Sequence, residues 1–232
     1  VTEVAHGYLV WLRSPNFGMT AADFANAATY NMEERYTAYT KGSQTPSTPQ
    51  TPSGTTVPPS GARIRLCIEA DQRAGSLLDA LERTNGWATF YCTPEFMENN
   101  GDLLRRLAVS GSAVGLLLDP EDPAESLDQQ LKRGNDALYR ATLTRTRLVY
   151  AGGGEETQQA LEQLGYSCLT PDMDRTDYKL ESAANAAALL KRVSARRRDV
   201  SVWLGTTASA AGVKEFVSSA QREGHYCRAM TE

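Results

Sequence analysis

The chain has 232 residues, 41% of them hydrophobic and 22% charged, with a formal net charge of −4 at pH 7. This composition excludes disorder for most of the chain and predicts one large domain, or one domain with an appendage. The apolar runs in the sequence are shorter than the ~18 residues that a membrane span needs. A sequence pI near 5.4 argues against nucleic acid as a partner, because phosphate binding needs a dense basic surface.

The first 61 residues are predicted to form an extension and a linker outside the main domain. Tyr8 to Leu12 is typical of a strand, and Thr20 precedes a segment from Ala21 to about Tyr39 with apolar residues near helical spacing. Residues 1–40 are too few for an independent core, so we expect them to dock on the larger domain or on a preceding one. Residues 41–61 are rich in Pro, Ser and Thr, which indicates a linker.

From residue 62 to residue 232, short apolar runs alternate regularly with helical stretches. The predicted strands are Arg63 to Ala70, Trp87 to Cys92, Ala113 to Leu118, Arg147 to Ala151, Tyr166 to Thr170, Val200 to Leu204 and His225 to Met230. The predicted helices are Ser76 to Thr84, Pro94 to Val109 with a break near Gly101, Ala124 to Thr142, Glu155 to Leu164, Glu181 to Arg197 and Ala208 to Glu223. This alternation is typical of parallel βαβ units, in either an open doubly wound sheet or a closed barrel.

In both architectures, functional groups collect where the parallel strands end. The residues at the predicted strand ends are Glu69, Asp71, Thr93, Glu95, Asp119, Glu121, Asp122, Gly152 to Gly154, Asp172, Asp174, Asp177 and Gly205 to Thr207. Acidic side chains dominate this rim. A hard cation such as Ca²⁺, Mg²⁺ or Mn²⁺ could bind there through carboxylates alone, but a solvated acidic rim is the simpler interpretation.

The remaining chemically distinctive residues are predicted to be structural. The cysteines are Cys67, Cys92, Cys168 and Cys227, and they show no zinc-ligand spacing. We expect four free, buried thiols, because each lies in an apolar, strand-like run. The aromatic residues Trp87, Tyr91, Tyr150 and Trp203 could form a sugar-stacking platform. Their strand positions favour a place in the core instead.

Several segments resemble one known family in the correct order. The stretch from Trp87 to Leu117 combines an Ala-Thr-Phe strand, a helix and a further strand, and TRLVYAGGG ends a later strand at a glycine loop. LEQLGYSCLTPDMDRTDY leads to an Asp-Tyr pair, and REGHYCRAMTE closes the chain. These segments resemble the polysaccharide deacetylases of carbohydrate esterase family 4. The resemblance covers roughly residues 62–232 and implies a distorted (β/α)7 TIM-like barrel of parallel strands rather than an open sheet.

The positions that would carry the family's metal chemistry have largely changed. By resemblance, Glu69 matches the general-base aspartate, but Ala70 stands where the family has an aspartate ligand of the metal. The two histidine ligands are matched by Leu117 and Glu121. Borderline metals such as zinc favour imidazole ligands, so these changed positions predict that no zinc binds here, and no other cofactor is expected.

The remaining motif positions have also largely lost the residues that the family has there. Tyr150 matches the arginine of the fourth-strand loop, and Leu204 matches the histidine that acts as general acid in the family. The Asp-aromatic pair persists as Asp177 and Tyr178, with tyrosine in place of tryptophan. The chain has two histidines, His6 and His225, and neither is expected at the rim.

Hydrolysis of an acetamide at neutral pH needs a metal-activated water and an acid for the departing amine. The changed motifs therefore predict a pseudoenzyme that binds a glycan such as peptidoglycan, or a protein partner. Glu69 and Asp177 are candidate catalytic remnants, and the candidate substrate-binding residues are Asp119, Glu121, Tyr150 and Tyr178. The resemblance and the Pro/Ser/Thr-rich linker together imply an extracytoplasmic place at a bacterial cell envelope.

Two other functions remain open at this point. The first is an active carbohydrate hydrolase or deacetylase that acts on N-acetylated sugars with an altered site, including a glycoside hydrolase built on paired carboxylates. The second is a purely structural interaction module. A shared fold does not distinguish among these functions.

Overall fold

Strands and helices alternate along the part of the chain that the computed structural model describes, which is residues 62–174, 179–196 and 198–230. The strands are β1 Arg63–Glu69, β2 Thr89–Cys92, β3 Ala113–Leu118, β4 Leu148–Ala151, β5 Ser167–Cys168, β6 Val200–Gly205 and β7 Tyr226–Arg228. The helices are α1 Ala74–Arg83, α2 Pro94–Asn99, α3 Gly101–Ser110, α4 Leu127–Thr142, α5 Gly154–Gln163, α6 Ala183–Ala195 and α7 Ala210–Arg222. None of the described helices is both long enough and apolar enough to cross a bilayer.

All seven strands belong to one parallel sheet, in which β1 pairs with three other strands. The order is β5-β4-β3-β2-β1-β6, and β7 also pairs with β1. One edge of β1 pairs with β6, while its other edge pairs with β7 near Arg63 and with β2 near Glu69. The predicted strand at the start of the chain and the segment from Ala21 to Tyr39 lie outside the described residues.

The chain after β5 curls the sheet by crossing from β4 to β6. On the β4 side, the amide of Leu169 donates to the carbonyl of Val149 at 2.8 Å. On the β6 side, the amide of Met173 donates to the carbonyl of Ser201 at 3.2 Å. We call residues 167–173 the closing seam. The curled parallel sheet confirms the distorted barrel and rules out the open doubly wound sheet.

Alternate residues of each strand face opposite sides of the sheet, so the barrel has an outer and an inner core. Ile64, Leu66 and Ile68 of β1 are fully buried in the outer core beneath the helices. The inner core contains Cys67, Tyr91, Leu169 and Trp203, with Leu117, Tyr150 and Met230 packed against it. The space inside the barrel is therefore filled by aromatic and aliphatic side chains.

The four cysteines are free, as expected, but they are not all buried. Cys67, Cys92 and Cys227 are buried, and burial raises the pKa of Cys67 and of Cys227 to about 12. Cys168 is only partly buried. The reason is its position on the two-residue strand β5, at the end of the strand order.

Asp172 belongs to the closing seam and not to the acidic rim where the sequence pattern placed it. Its carboxylate accepts hydrogen bonds from the amide and the hydroxyl of Ser201, both at 2.9 Å, and from Arg198 at 2.7 Å. Burial raises the pKa of Asp172, but these hydrogen bonds and the nearby arginine charges outweigh it and lower the pKa overall. The ionised carboxylate therefore fastens the seam to β6.

Replacing Asp172 by asparagine should destabilise the fold in a pH-dependent manner. We expect Asp172→Asn to reduce the free energy of unfolding at pH 7 by about 1–3 kcal/mol, because a charge-assisted network is lost. Because the pKa of Asp172 is lower in the folded state, its ionised form stabilises the fold fully at pH values above its pKa in the unfolded chain, ~3.9. This stabilisation disappears as the pH falls through the pKa of the folded state. Urea unfolding at pH 7 and at about pH 2.5 should therefore show the difference shrinking in acid.

The matched control is Asp128→Asn, which changes an exposed aspartate in the first turn of α4. This variant should differ from the parent by no more than about 0.5 kcal/mol at pH 7. An equal loss of stability for Asp172→Asn at both pH values would contradict the assigned role of its charge.

Candidate functional site

The C-terminal rim of the barrel brings together side chains from the ends of β1, β3 and β4. Glu69 is the last residue of β1 and lies opposite Tyr91 of β2 in the strand register. Leu117 of β3 lies opposite Tyr150 of β4. By strand alternation these side chains share the inner face of the barrel with Trp203.

Three aromatic rings occupy the barrel beneath this rim, and we call them the inner aromatic cluster: Tyr91, Tyr150 and Trp203. The rings of Tyr150 and Trp203 are stacked, with centroids 4.1 Å apart and planes inclined by 22°. Tyr91 meets Trp203 edge-on at 5.4 Å and Tyr150 at 6.2 Å. Tyr91 and Trp203 are core residues, as expected, whereas Tyr150 is only partly buried. Trp87 is separate from the cluster and contacts Arg228.

The hydroxyl of Tyr91 is an unusual polar atom within this cluster. It is fully buried and has no hydrogen-bond partner among the described residues. Burial is the main cause that raises its pKa, with smaller contributions from Cys67 and Cys168. Tyr91 therefore stays protonated at neutral pH and cannot act as a base.

Glu69 is the carboxylate that reaches the inner face of the rim from β1. It is partly buried, and its carboxylate forms no hydrogen bond or ion pair with another residue in the described part of the chain. It is the last residue of its strand and therefore lies at the rim of the barrel. A carboxylate in this setting can accept hydrogen bonds from the hydroxyl groups of a ligand.

Asp119 and Glu121 lie in the loop after β3, which is organised by its own hydrogen bonds. The amide of Glu121 donates to the carboxylate of Asp119 at 3.0 Å. The buried side chain of Gln130 accepts from the amide of Asp119 at 2.9 Å and donates to its carbonyl at 2.7 Å. Sequence analysis did not identify Gln130, because a polar residue in a helix has no distinctive pattern. Asp119 and Glu121 are both exposed on this ordered loop.

A second rim feature that the sequence analysis missed is the pairing of Asp71 with Arg73. The Nε atom of Arg73 donates to the carboxylate of Asp71 at 3.0 Å, and its guanidinium also contacts the carbonyl oxygen of Thr206. Burial raises the pKa of Asp71, but its hydrogen bonds with Arg73 and the charge of Arg73 lower it overall. The pair is therefore ionised and links the loops after β1 and β6. The pair could have been predicted from the sequence, because Asp71 and Arg73 are two residues apart directly after a predicted strand.

The residues present do not fit the zinc ion that the family resemblance implies. Ala70 is 8% exposed and packs in the outer core, and Leu117 packs against the inner core. Neither side chain can donate to a metal, which leaves Glu121 as the only oxygen ligand among these three positions. No group of three or more His, Cys, Asp or Glu residues in the described ranges is arranged to hold a metal ion. Asp177 and Tyr178 lie outside those ranges.

Neither of the two positions considered for a general acid presents a side chain to the inner face of the rim. Leu204 is fully buried in the outer core, so the inward-facing residue beside it on β6 is Trp203. His225 lies at the opposite end of the barrel, where its Nδ1 atom accepts from the amide of Ala62 at 3.0 Å. Its Nε2 atom lies 3.0 Å from the hydroxyl of Ser194. Its ring therefore connects the start of β1 to α6.

No protein family model matches this sequence, and no curated protein is significantly similar to it. Solved structures do share its fold. The peptidoglycan deacetylase PdaC of Bacillus subtilis is 18% identical with a TM-score of 0.60, over 74% of this chain and 89% of that chain. A polysaccharide deacetylase of Bacillus cereus is 14% identical with a TM-score of 0.61, over 74% and 93% of the two chains.

A third similar structure is a mutant of a carbohydrate esterase family 4 pseudoenzyme with restored enzymatic activity. It is 18% identical with a TM-score of 0.58, over 74% of this chain and 67% of that chain. At these identities the likeness establishes the fold. The chain has the fold of the family 4 polysaccharide deacetylases, which confirms the architecture expected from the resemblance.

Proposed function

We propose that this domain is a deacetylase-like pseudoenzyme that binds glycan at its C-terminal rim without hydrolysing acetamide groups. The observation that carries the proposal is the inner aromatic cluster. The stacked rings of Tyr150 and Trp203, 4.1 Å apart, occupy the strands that would supply the arginine and the histidine acid in the resembling family. Tyr150 stands at the arginine position itself, and Trp203 is the neighbour of Leu204, which stands at the histidine position.

The changed ligand positions support the same proposal. Ala70 and Leu117 carry no metal-binding atom, and Leu204 is turned into the outer core. A water molecule attached to a metal is the nucleophile that makes acetamide hydrolysis feasible at neutral pH. Without a ligand set for that metal, the carboxylate of Glu69 has no activated water to deprotonate.

Glycan binding at the rim would use the groups that remain there. Glu69, Asp119 and Glu121 supply carboxylates for sugar hydroxyls, and the partly exposed ring of Tyr150 supplies an apolar surface. We include Asp177 and Tyr178 in this proposed surface on the basis of the family resemblance alone. The likeness to a peptidoglycan deacetylase supports peptidoglycan as the glycan class and an extracytoplasmic, cell-envelope location. A protein partner is the alternative occupant of the same rim.

The test combines metal analysis, acetate release and calorimetry on the purified chain. Acetate release from chitooligosaccharides should stay at the background rate with and without added zinc. The loss of a general acid alone typically reduces a rate by ~10²–10⁴, and the absence of a metal removes water activation as well. Calorimetry should detect binding of the same oligosaccharides, and this binding should weaken in Glu69→Gln.

A different result would establish the alternative function. Acetate release that is saturable, survives dialysis against a chelator and disappears in Glu69→Gln would identify a hydrolase with an altered site. Loss of that activity on chelation would instead identify a metal site that the described residues do not form. Absence of both binding and turnover would leave a structural module and overturn the proposal.

A further inference from the structure

The N-terminal opening of the barrel, opposite the rim, carries an alternating row of arginines and aromatic rings. The guanidinium carbon of Arg228 lies 4.3 Å from the ring centroid of Trp87 and 5.5 Å from that of Tyr226. Arg63 lies 6.0 Å from the same Tyr226 ring, and its Nε atom donates to the Tyr226 hydroxyl at 3.2 Å. We call Trp87, Arg228, Tyr226 and Arg63 the arginine ladder.

Strand register explains why these residues meet. Arg63 and Arg65 of β1 pair directly with Tyr226 and Arg228 of β7. The residues between them, Ile64 and Cys227, are buried in the outer core. The ladder side chains therefore face the inside of the barrel at the end where the strands begin.

Among the described residues, the ladder and the adjacent Arg65 carry more positive charge than the neighbouring carboxylates neutralise. Asp199 lies 3.7 Å from Arg63 and 3.5 Å from Arg65. It is the only carboxylate that pairs with Arg63, Arg65 or Arg228 among the described residues. Arg63 is half exposed and Arg228 is exposed, so their N–H groups can reach a ligand. Stacking on aromatic rings fixes a guanidinium in advance, which favours recognition of planar oxyanions such as carboxylates.

A cavity of about 220 Å³ opens at the same end of the barrel. Its lining combines the polar side chains of Ser112, Thr144, Arg145 and Thr146 with apolar ones from Ala108, Ala113, Val114, Leu138, Leu148 and Met230. The Thr144 hydroxyl is hydrogen-bonded to that of Thr142, and the Thr146 hydroxyl accepts from the amide of Leu148. Ser112 is 9% exposed, and its hydroxyl has no hydrogen-bond partner among the described residues. A buried hydroxyl without a partner is unfavourable, so this atom is suited to a ligand that supplies one.

The ladder and the cavity are neighbours. Trp87 donates from its indole nitrogen to the carbonyl of Ser110 at 2.9 Å, two residues before Ser112. On the other side, Met230 lines the cavity and follows Arg228 by two residues. On both sides, therefore, a residue of the cavity lining lies within two positions of a residue that belongs to the ladder or contacts it.

We propose that this opening binds an acidic polysaccharide, with carboxylates on the arginine ladder and sugar hydroxyls in the Ser112 cavity. The site is separate from the rim, and it does not depend on the function proposed there. Nucleic acid fits less well, because the guanidinium groups already cover the rings of Trp87 and Tyr226 on which bases would stack. The net charge of −4 also opposes binding to a phosphate backbone.

The test is calorimetry with oligogalacturonides, which carry one carboxylate on each sugar, using neutral dextran oligosaccharides for comparison. Oligogalacturonides should bind, more weakly as salt is raised, and dextran should not. Arg228→Gln should weaken binding by about tenfold or more, because it removes charge-assisted hydrogen bonds and the planar guanidinium that stacks on Trp87. Arg228→Lys should recover part of the affinity at most, since lysine keeps the charge but not the planar fork.

Two further variants separate binding from folding. Ser112→Ala should weaken oligogalacturonide binding severalfold while leaving the midpoint of thermal unfolding unchanged or raised, because it removes a hydroxyl without a partner. Lys214→Gln removes one exposed positive charge from α7 and should leave binding unchanged. Equal weakening by Lys214→Gln and Arg228→Gln, or tighter binding of single-stranded DNA than of oligogalacturonides, would overturn the proposal. So would failure of the parent protein to bind oligogalacturonides at low salt.

Discussion

Trp203→Ala should reduce the free energy of unfolding by about 3–5 kcal/mol, the loss typical of a buried tryptophan. The side chain is 3% exposed and contacts two aromatic rings, so truncation removes stacking and leaves a cavity inside the barrel. Strands β1 and β6 would then pack around an unfilled space. Urea unfolding followed by circular dichroism measures the change directly.

The control for this prediction is an aromatic residue on the outside of the barrel. Tyr139 of α4 is 46% exposed and contacts Arg145 at 5.2 Å. Tyr139→Ala should change stability by no more than about 1 kcal/mol. If Trp203→Ala reduces the free energy of unfolding by less than about 1 kcal/mol, the inner aromatic cluster does not support the fold. The proposal that aromatic packing has taken the place of a catalytic site would then have no structural basis.

Gly115→Ala should destabilise the barrel by about 1–3 kcal/mol through overpacking. Gly115 lies on β3 opposite Tyr91, and a Cβ atom there would be 2.6 Å and 2.7 Å from two carbons of the Tyr91 ring. The ring is fully buried and contacts Tyr150 and Trp203. Either the ring or β3 must move, and both movements disturb the inner core.

A double-mutant cycle tests whether this clash is the cause. In a Tyr91→Leu background the same Gly115→Ala change should be much less destabilising, because the ring carbons are absent. Gly75→Ala in α1 meets no atom within 4 Å and should stabilise the protein by up to about 1 kcal/mol. An unchanged effect of Gly115→Ala in the Tyr91→Leu background would refute the steric explanation.

The fold was largely predictable because its signals are local. Each described strand and helix falls within or beside a segment that apolar periodicity had identified, including the break near Gly101 that separates α2 from α3. The break follows from Asn100, whose backbone departs from helical geometry between the two helices. The choice of a barrel over an open sheet was not local and depended on the family resemblance.

The site was less predictable, because its contacts join residues that are far apart in the chain. Nothing near Tyr150 in the sequence indicates that it stacks on Trp203, and nothing near Asp172 indicates its bonds to Ser201. The predicted end of the first strand correctly placed Glu69 at the rim. The predicted strand ends misplaced Asp172, because a segment that follows one strand can pair with another before the chain reaches the rim.

The closing seam also has a consequence for how the native barrel opens. Between β4 and β6 the seam consists of a two-residue strand, one isolated bridge at Met173 and the hydrogen bonds of Asp172 with Ser201, whereas β1 has three neighbouring strands. Sub-global opening therefore requires less free energy at the seam than at β1. In native-state hydrogen exchange, the amides of Leu169 and Met173 would lose protection together, while Ile68 would exchange only on global unfolding. The barrel would then open along the line between β4 and β6 while the pairing of β1 with its neighbours stays intact.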